Sequence, residues 1–126
     1  MALHLEKGRQ SEQLALRYLR KQGLKLITKN FSRRGGELDL VMREPEKDIL
    51  VIIEVRYRRN KLYGGAAGSI HTAKLRRIVQ TTQALLQQHP QLCEMPVRFD
   101  VVALHGDPAN PQIEWIKAAF GADALG

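Results

Sequence analysis

The stretch ILVIIEVRYRRN, residues 49–60, decides the fold. Its first five residues are apolar without interruption, and they run straight into Glu54, with Arg56 two positions later. A strand that is apolar on both faces belongs at the centre of a sheet covered on both sides. Strand side chains alternate, so Ile52, Glu54 and Arg56 share one face while Val51, Ile53 and Val55 share the other. A buried strand thus delivers a carboxylate and a guanidinium to the same side at its end.

Working outward, the elements on either side fit such a centre. Residues 8–22 have the spacing of an amphipathic helix, with Ala15, Leu16 and Leu19 on one face and Gly23 where a helix ends in the left-handed conformation. LKLITKNF, residues 24–31, alternates as a half-buried strand does. The turn SRRGG leads into ELDLVM, residues 37–42, and the polar turn EPEKD leads into the central strand. After the glycine-rich, basic loop RRNKLYGGAAGS, a second helix is expected over residues 72–88. Leu75, Ile78, Val79, Thr82 and Leu86 share its face, and it stops ahead of Pro90. VRFDVVALH, residues 97–105, reads as a fourth strand. QIEWIKAAF, residues 112–120, reads as a short fifth strand with an irregular tail.

Three strands joined by short turns predict an antiparallel meander, and a long helix before the fourth predicts a crossover. The expected architecture is α/β, a mixed central sheet of about five strands flanked by helices. With 126 residues the chain is expected to form a single domain, 1–126. One cysteine, Cys93, excludes an intrachain disulfide and thiolate metal sites. No apolar run is long enough to cross a membrane, and the N-terminus has no apolar signal core, so a cytoplasmic protein without a membrane partner is expected.

The net charge of +7 is unevenly spread. Residues 1–36 carry nine Lys/Arg against Glu6 and Glu12; residues 37–55 carry six acids and two bases; residues 56–88 carry seven Lys/Arg and no acid. An acidic segment between two basic ones suits a carboxylate cluster ringed by cations, and the positive balance suits a polyanion.

If the strands at 37–42 and 49–57 pair with their polar faces aligned, Asp39 and Glu54 converge at one end of the sheet, with Glu37, Asp39 and Val41 on a common face. Two ionised carboxylates brought together repel unless a proton or a cation compensates. Strand patterning leaves two answers open: a hard cation such as Mg²⁺ between them, or separate pairing with bases such as Arg33, Arg34 or Arg56. Glu12, near the buried face of the first helix, needs either a partner or a route to water.

GRQSEQLALRYLRKQG, KNFSRRGGELDLV, LVIIEVRYR, the helix containing Lys74, and RFDVVAL together resemble the YraN-like family, within the restriction-endonuclease-like (resolvase-like) fold. The resemblance covers nearly the whole chain. It implies a nuclease site in which an Asp precedes a strand bearing Glu-x-Lys. Here ELD supplies Asp39 and EVR supplies Glu54 and Val55, while the helix glutamate of resolvase-like members corresponds to Glu12. By resemblance, Asp39, Glu54, the Val55 carbonyl and Glu12 would hold Mg²⁺ or Mn²⁺. The signature lysine is replaced by Arg56, which cannot give up its proton to act as a base but can clamp phosphate. Lys74 offers an ammonium from the second helix.

The implied activity is metal-dependent endonucleolytic hydrolysis of structured DNA, branched or flapped. The alternative is a catalytically impaired nucleic-acid-binding adaptor on the same fold, which Arg56 favours. A homodimer belongs to the same expectation, since nucleases of this kind cut two strands. Arg33 and Arg34, with Arg58, Arg59, Lys61 and Tyr63 of the basic loop, are the candidate nucleic-acid contacts. Asp100, His71, Cys93 and Trp115 have bland expectations: a structural salt bridge or cap, a surface histidine, an unreactive thiol and a packed ring.

Overall fold

A computed structural model describes the chain over residues 2–59 and 71–121, with side chains from Gly8 onward. Helix α1 spans Ala2–Lys21, then strands β1 (Lys25–Arg33), β2 (Gly36–Glu44) and β3 (Ile49–Arg58) follow in succession. Helix α2 (Thr72–Gln88) and a 3-10 turn (Pro90–Leu92) lead to β4 (Val97–His105) and β5 (Gln112–Phe120). The five strands lie in the order β1-β2-β3-β4-β5, antiparallel except for the parallel pair β3–β4 that α2 connects. This is the mixed α/β sheet expected, with β3 at its centre. β5 runs through Phe120, longer than the short strand expected, and its tail is irregular as the sequence pattern predicts: the register against β4 slips between Ile116 and Phe120, where Ala118 has φ 52.

The two helices bury opposite faces of the sheet. Ala15, Leu16 and Leu19 of α1 pack on Leu40, Met42, Val51, Ile53, Val102 and Leu104. Ile78 and Leu85 of α2 pack on Leu38, Val41, Leu50, Ile52 and Phe99. Each fully buried Leu or Ile removes enough apolar surface from water to contribute roughly 1.5–3 kcal/mol. Helix α1 ends as its glycine predicts: Gly23 (φ 102) donates to the Arg20 carbonyl and Leu24 to the Leu19 carbonyl. Leu24 then packs beside Leu19, which closes a Schellman motif and sets the start of β1.

Asp100 is fully buried and structural. Arg98 grips both its oxygens at 2.9 and 3.0 Å, Trp115 Nε1 donates at 2.9 Å, and the Ala118 amide donates at 3.0 Å. The Arg98 fork also reaches Glu44 at 3.1 Å, tying β4 to β2. Trp115 is packed as expected, edge-on to Tyr18.

The β1–β2 hairpin is drawn against α2 through a residue with no side chain. A Cβ on Gly36 would lie 2.1 Å from Thr81 Oγ1 and 3.3 Å from the Arg77 carbonyl oxygen. Thr81 cannot swing clear without losing its own 2.6 Å hydrogen bond to that carbonyl. Gly36→Ala is therefore expected to lower stability by about 1–3 kcal/mol, the range for an overpacked site. Adding Thr81→Ala should return a large part of that loss in a thermal melt. A Gly36→Ala protein as stable as the parent would show that the hairpin is not held this closely.

Candidate active site

The ladder between β2 and β3 runs from Glu44↔Ile49 to Leu40↔Ile53 and there the strands part, while β3 continues to pair with β4 as far as Arg58↔His105. The register would next set Asp39 opposite Glu54. Instead the Asp39 side chain takes the place of a backbone acceptor: Val55 N–H donates to Asp39 Oδ2 at 2.9 Å. The fork opens a cleft of about 170 Å³ lined by Gly8, Ser11, Glu12, Asp39, Glu54, Val55, Arg56, Tyr57 and Lys74. All six residues assigned to chemistry from the sequence thus face one space.

The pairings within the cleft are specific. Glu54, only 4% exposed, has Oε1 2.6 Å from Lys74 Nζ and 3.8 Å from an Arg56 guanidinium nitrogen. The Lys74 contact is an ion pair whose angle falls outside hydrogen-bond geometry, so this buried oxygen has no aligned donor. Lys74 is thus brought to the fork by α2, beyond the role of a solvated helix lysine. Of the bases weighed as partners, Arg56 serves Glu54, together with Lys74, which the strand pattern did not offer as a partner. Asp39 is served by a backbone amide, and Arg33 and Arg34 line a different hollow with Gly35 and α2.

Asp39 carries the electrostatic cost of the arrangement. Burial, then the Glu54 charge beside it, pushes its carboxyl up to about 7, against the opposing pull of the Val55 amide and Lys74. Glu12 is pushed up to about 7 by burial and by the charges of Asp39 and Glu37. It has a partner the sequence did not suggest. Asn30 stands between two carboxylates, so its amide nitrogen must face them; so turned, it donates to Glu12 Oε1 at 2.9 Å and to Glu37 Oε1 at 3.1 Å. Asn30 has φ 54, a left-handed conformation that Asn tolerates better than most residues. The pairs Lys29↔Leu40 and Phe31↔Leu38 set it opposite Asp39.

This kink also corrects the face assignment made from strict alternation. Leu38 packs under α2 with Val41, three positions on, while Leu40 packs under α1. Glu37, Asp39 and Val41 therefore do not share a face by simple period-2 counting. Asp39 sits where the alternation slips, and this lets it reach the Val55 amide.

Among the described residues, no group of three or more His, Cys, Asp or Glu side chains is gathered closely enough to hold a metal ion. Glu12 lines the same cleft, near enough for the Asp39 charge to act on its carboxyl. Asp39 and Glu54 still suit a hard cation: burial and then the Glu54 charge force the Asp39 carboxyl toward protonation, and Glu54 keeps a buried oxygen without an aligned donor. Arg58 and Arg59 are exposed at the end of β3, and Lys61 and Tyr63 lie outside the described residues. His71 is the exposed residue preceding α2, with no side-chain cap. Cys93 is exposed. Among the described residues, no helix is long and apolar enough to cross a membrane.

The model of the Uncharacterised protein family UPF0102 matches residues 11–104, a span that holds Glu12, Asp39, Glu54, Val55, Arg56 and Lys74. The chain belongs to this family. It is 44% identical over 122 residues to a UPF0102 protein of Xanthomonas oryzae pv. oryzae (strain PXO99A), covering 97% of each chain. It is 45% identical over 114 residues to a UPF0102 protein of Pseudomonas savastanoi pv. phaseolicola (strain 1448A / Race 6), covering 90% of this chain and 91% of that relative.

The raised Asp39 carboxyl fixes the sign of a pH effect. A carboxyl near 7 in the folded chain and near 4 when unfolded binds more protons when folded, so stability falls as pH rises between those values. Without divalent metal, Asp39→Asn is expected to be more stable than the parent at pH 8, by on the order of 1–3 kcal/mol. The advantage should vanish near pH 4. Denaturant melts across that range check it; an Asn variant less stable at pH 8 would contradict the assignment.

Proposed function

We propose that this protein is a metal-dependent endonuclease that hydrolyses phosphodiesters of structured DNA, branched or flapped. The observation that carries the reading is the fork itself. Asp39 and Glu54, from two parting strands, meet Lys74 from the crossover helix and Arg56 from the strand end, in one open cleft.

Hydrolysis of a phosphodiester adds water oxygen to phosphorus and expels the bridging oxygen, so it needs a proton acceptor, charge stabilisation and a proton for the leaving group. Glu12, with its carboxyl near 7, is matched to taking the water proton around neutral pH. Arg56 offers a planar fork for the phosphate oxygens and stays charged throughout. Lys74, already at the Glu54 carboxylate, offers an ammonium that orients water or protonates the departing oxygen. Mg²⁺ or Mn²⁺ would be held by Asp39 and Glu54, with the Val55 carbonyl, water and Glu12 as further donors, and would supply charge stabilisation and a more acidic water.

A second reading, a non-catalytic nucleic-acid-binding adaptor, is favoured by one observation: Glu54 is already neutralised by Lys74 and Arg56, and Arg56 stands where the signature has lysine. The two readings part on cleavage of labelled single-stranded, duplex, flapped and four-way-junction DNA, with Mg²⁺, Mn²⁺ or EDTA. The nuclease reading expects metal-dependent cutting that Asp39→Asn lowers by at least about a hundredfold, with Lys74→Ala lowering it by about tenfold or more. Binding without cutting, in the parent and in Arg56→Lys alike, would make it an adaptor.

A further inference from the structure

Between the β1–β2 turn and α2 lies a second hollow of about 210 Å³. It is lined by Arg33, Arg34 and Gly35 of the hairpin and by Gln80, Gln83 and Gln87 of α2. The glutamines recur at i, i+3 and i+7, and Arg76 precedes Gln80 by four, so all four lie along one helix stripe. All are exposed. Helix surfaces in soluble chains usually mix both signs of charge, yet α2 carries three bases and no acid in seventeen residues, in a chain that has thirteen acids. A long polar stripe from which carboxylates are absent, facing two arginines, is complementary to a polyanion.

The hollow is also rigidly built. The hairpin cannot drift from α2, because Gly36 rests against Thr81 with no room for a Cβ. Gly35, at φ 90, makes the tight turn that presents Arg34. The same helix begins at the fork: Lys74, on a different face of α2 from the stripe, stands at the cleft, and Gln87 lies thirteen residues further along the axis. At 1.5 Å per residue that is about 20 Å, roughly six nucleotides of a B-form strand at about 3.4 Å per step. Glutamine amides donate to phosphate and sugar oxygens without adding charge, and the arginines supply the attraction.

We infer that the α2 stripe and the β1–β2 hairpin form a track for the backbone of a nucleic-acid strand, holding it for about six nucleotides to one side of the fork. This rests on the nucleic-acid reading above but not on catalysis, and it adds Arg76, Gln80, Gln83 and Gln87 to the contact surface.

The test is fluorescence anisotropy of a labelled forked DNA duplex in EDTA, at several salt concentrations, with the full chain carrying Asp39→Asn so that nothing is cut. Adding Gln80→Glu and Gln83→Glu should weaken binding at least tenfold. Arg33→Ala with Arg34→Ala should lower the slope of log affinity against log salt by about two, one per lost phosphate contact. Gln83→Lys should tighten binding severalfold, a change of sign that misfolding does not produce. If the Asp39→Asn chain binds DNA and these variants match it within twofold, the track is overturned while the fork reading stands. If no form binds DNA at low salt, both fall, and an acidic protein partner takes the surface.

Discussion

One hydrogen bond, from the Val55 amide to Asp39 across sixteen positions of sequence, holds the candidate site together. It forms where β2 peels away from β3, and it replaces a ladder bond that the separating strands can no longer make. A buried amide left without an acceptor costs about 1–3 kcal/mol, so the carboxylate is held at the fork by a backbone requirement as well as by its own chemistry. Once Asp39 is fixed there, Glu54 is its neighbour on the adjoining strand, and the repulsion between them follows. Lys74 and Arg56 answer that repulsion from the Glu54 side, while burial first and the Glu54 charge second raise the Asp39 carboxyl.

The sheet is built to withstand this strain. Residues 50–53 of β3 are buried on both faces between α1 and α2. β4 stays in register alongside β3 well past the fork, so the end of β3 is supported after β2 has left it. The far side of the sheet is pinned by Asp100, whose two oxygens meet Arg98, Trp115 and the Ala118 amide. Asp100 and Asp39 are both buried acids. Asp100 has four donors and is at rest, whereas Asp39 has one amide and a carboxylate for company. That contrast separates a structural acid from a functional candidate.

Much of this was legible in the sequence, for identifiable reasons. The continuous apolar run of β3 set the centre of the sheet, and Pro90 and the 3.6-residue pattern set the bounds of α2. Glu-x-Arg at the end of a buried strand pointed to the fork. Glu12, Asp39, Glu54, Arg56 and Lys74 do share a cleft. Illegible were features that depend on a single backbone angle or a single close approach. The left-handed Asn30 stands opposite Asp39, where the alternation of β2 slips, and supplies the partner of Glu12, yet local pattern reads Asn there as one more polar strand residue. The Gly36–Thr81 contact joins residues forty-five positions apart, and periodicity carries no information about it. The stripe Gln80, Gln83, Gln87 is visible as spacing but acquires meaning only when the hairpin arginines are found opposite it.

The proposed divalent cation would sit at the fork, on the Asp39 and Glu54 carboxylates. The most direct measurement is anomalous diffraction from crystals of the full chain grown with Mn²⁺. One strong anomalous peak is expected at the fork, in contact with both carboxylates, and should be lost in Asp39→Asn. A fork without manganese, with Glu54 still on Lys74 and Asp39 still on the Val55 amide, would contradict the proposal.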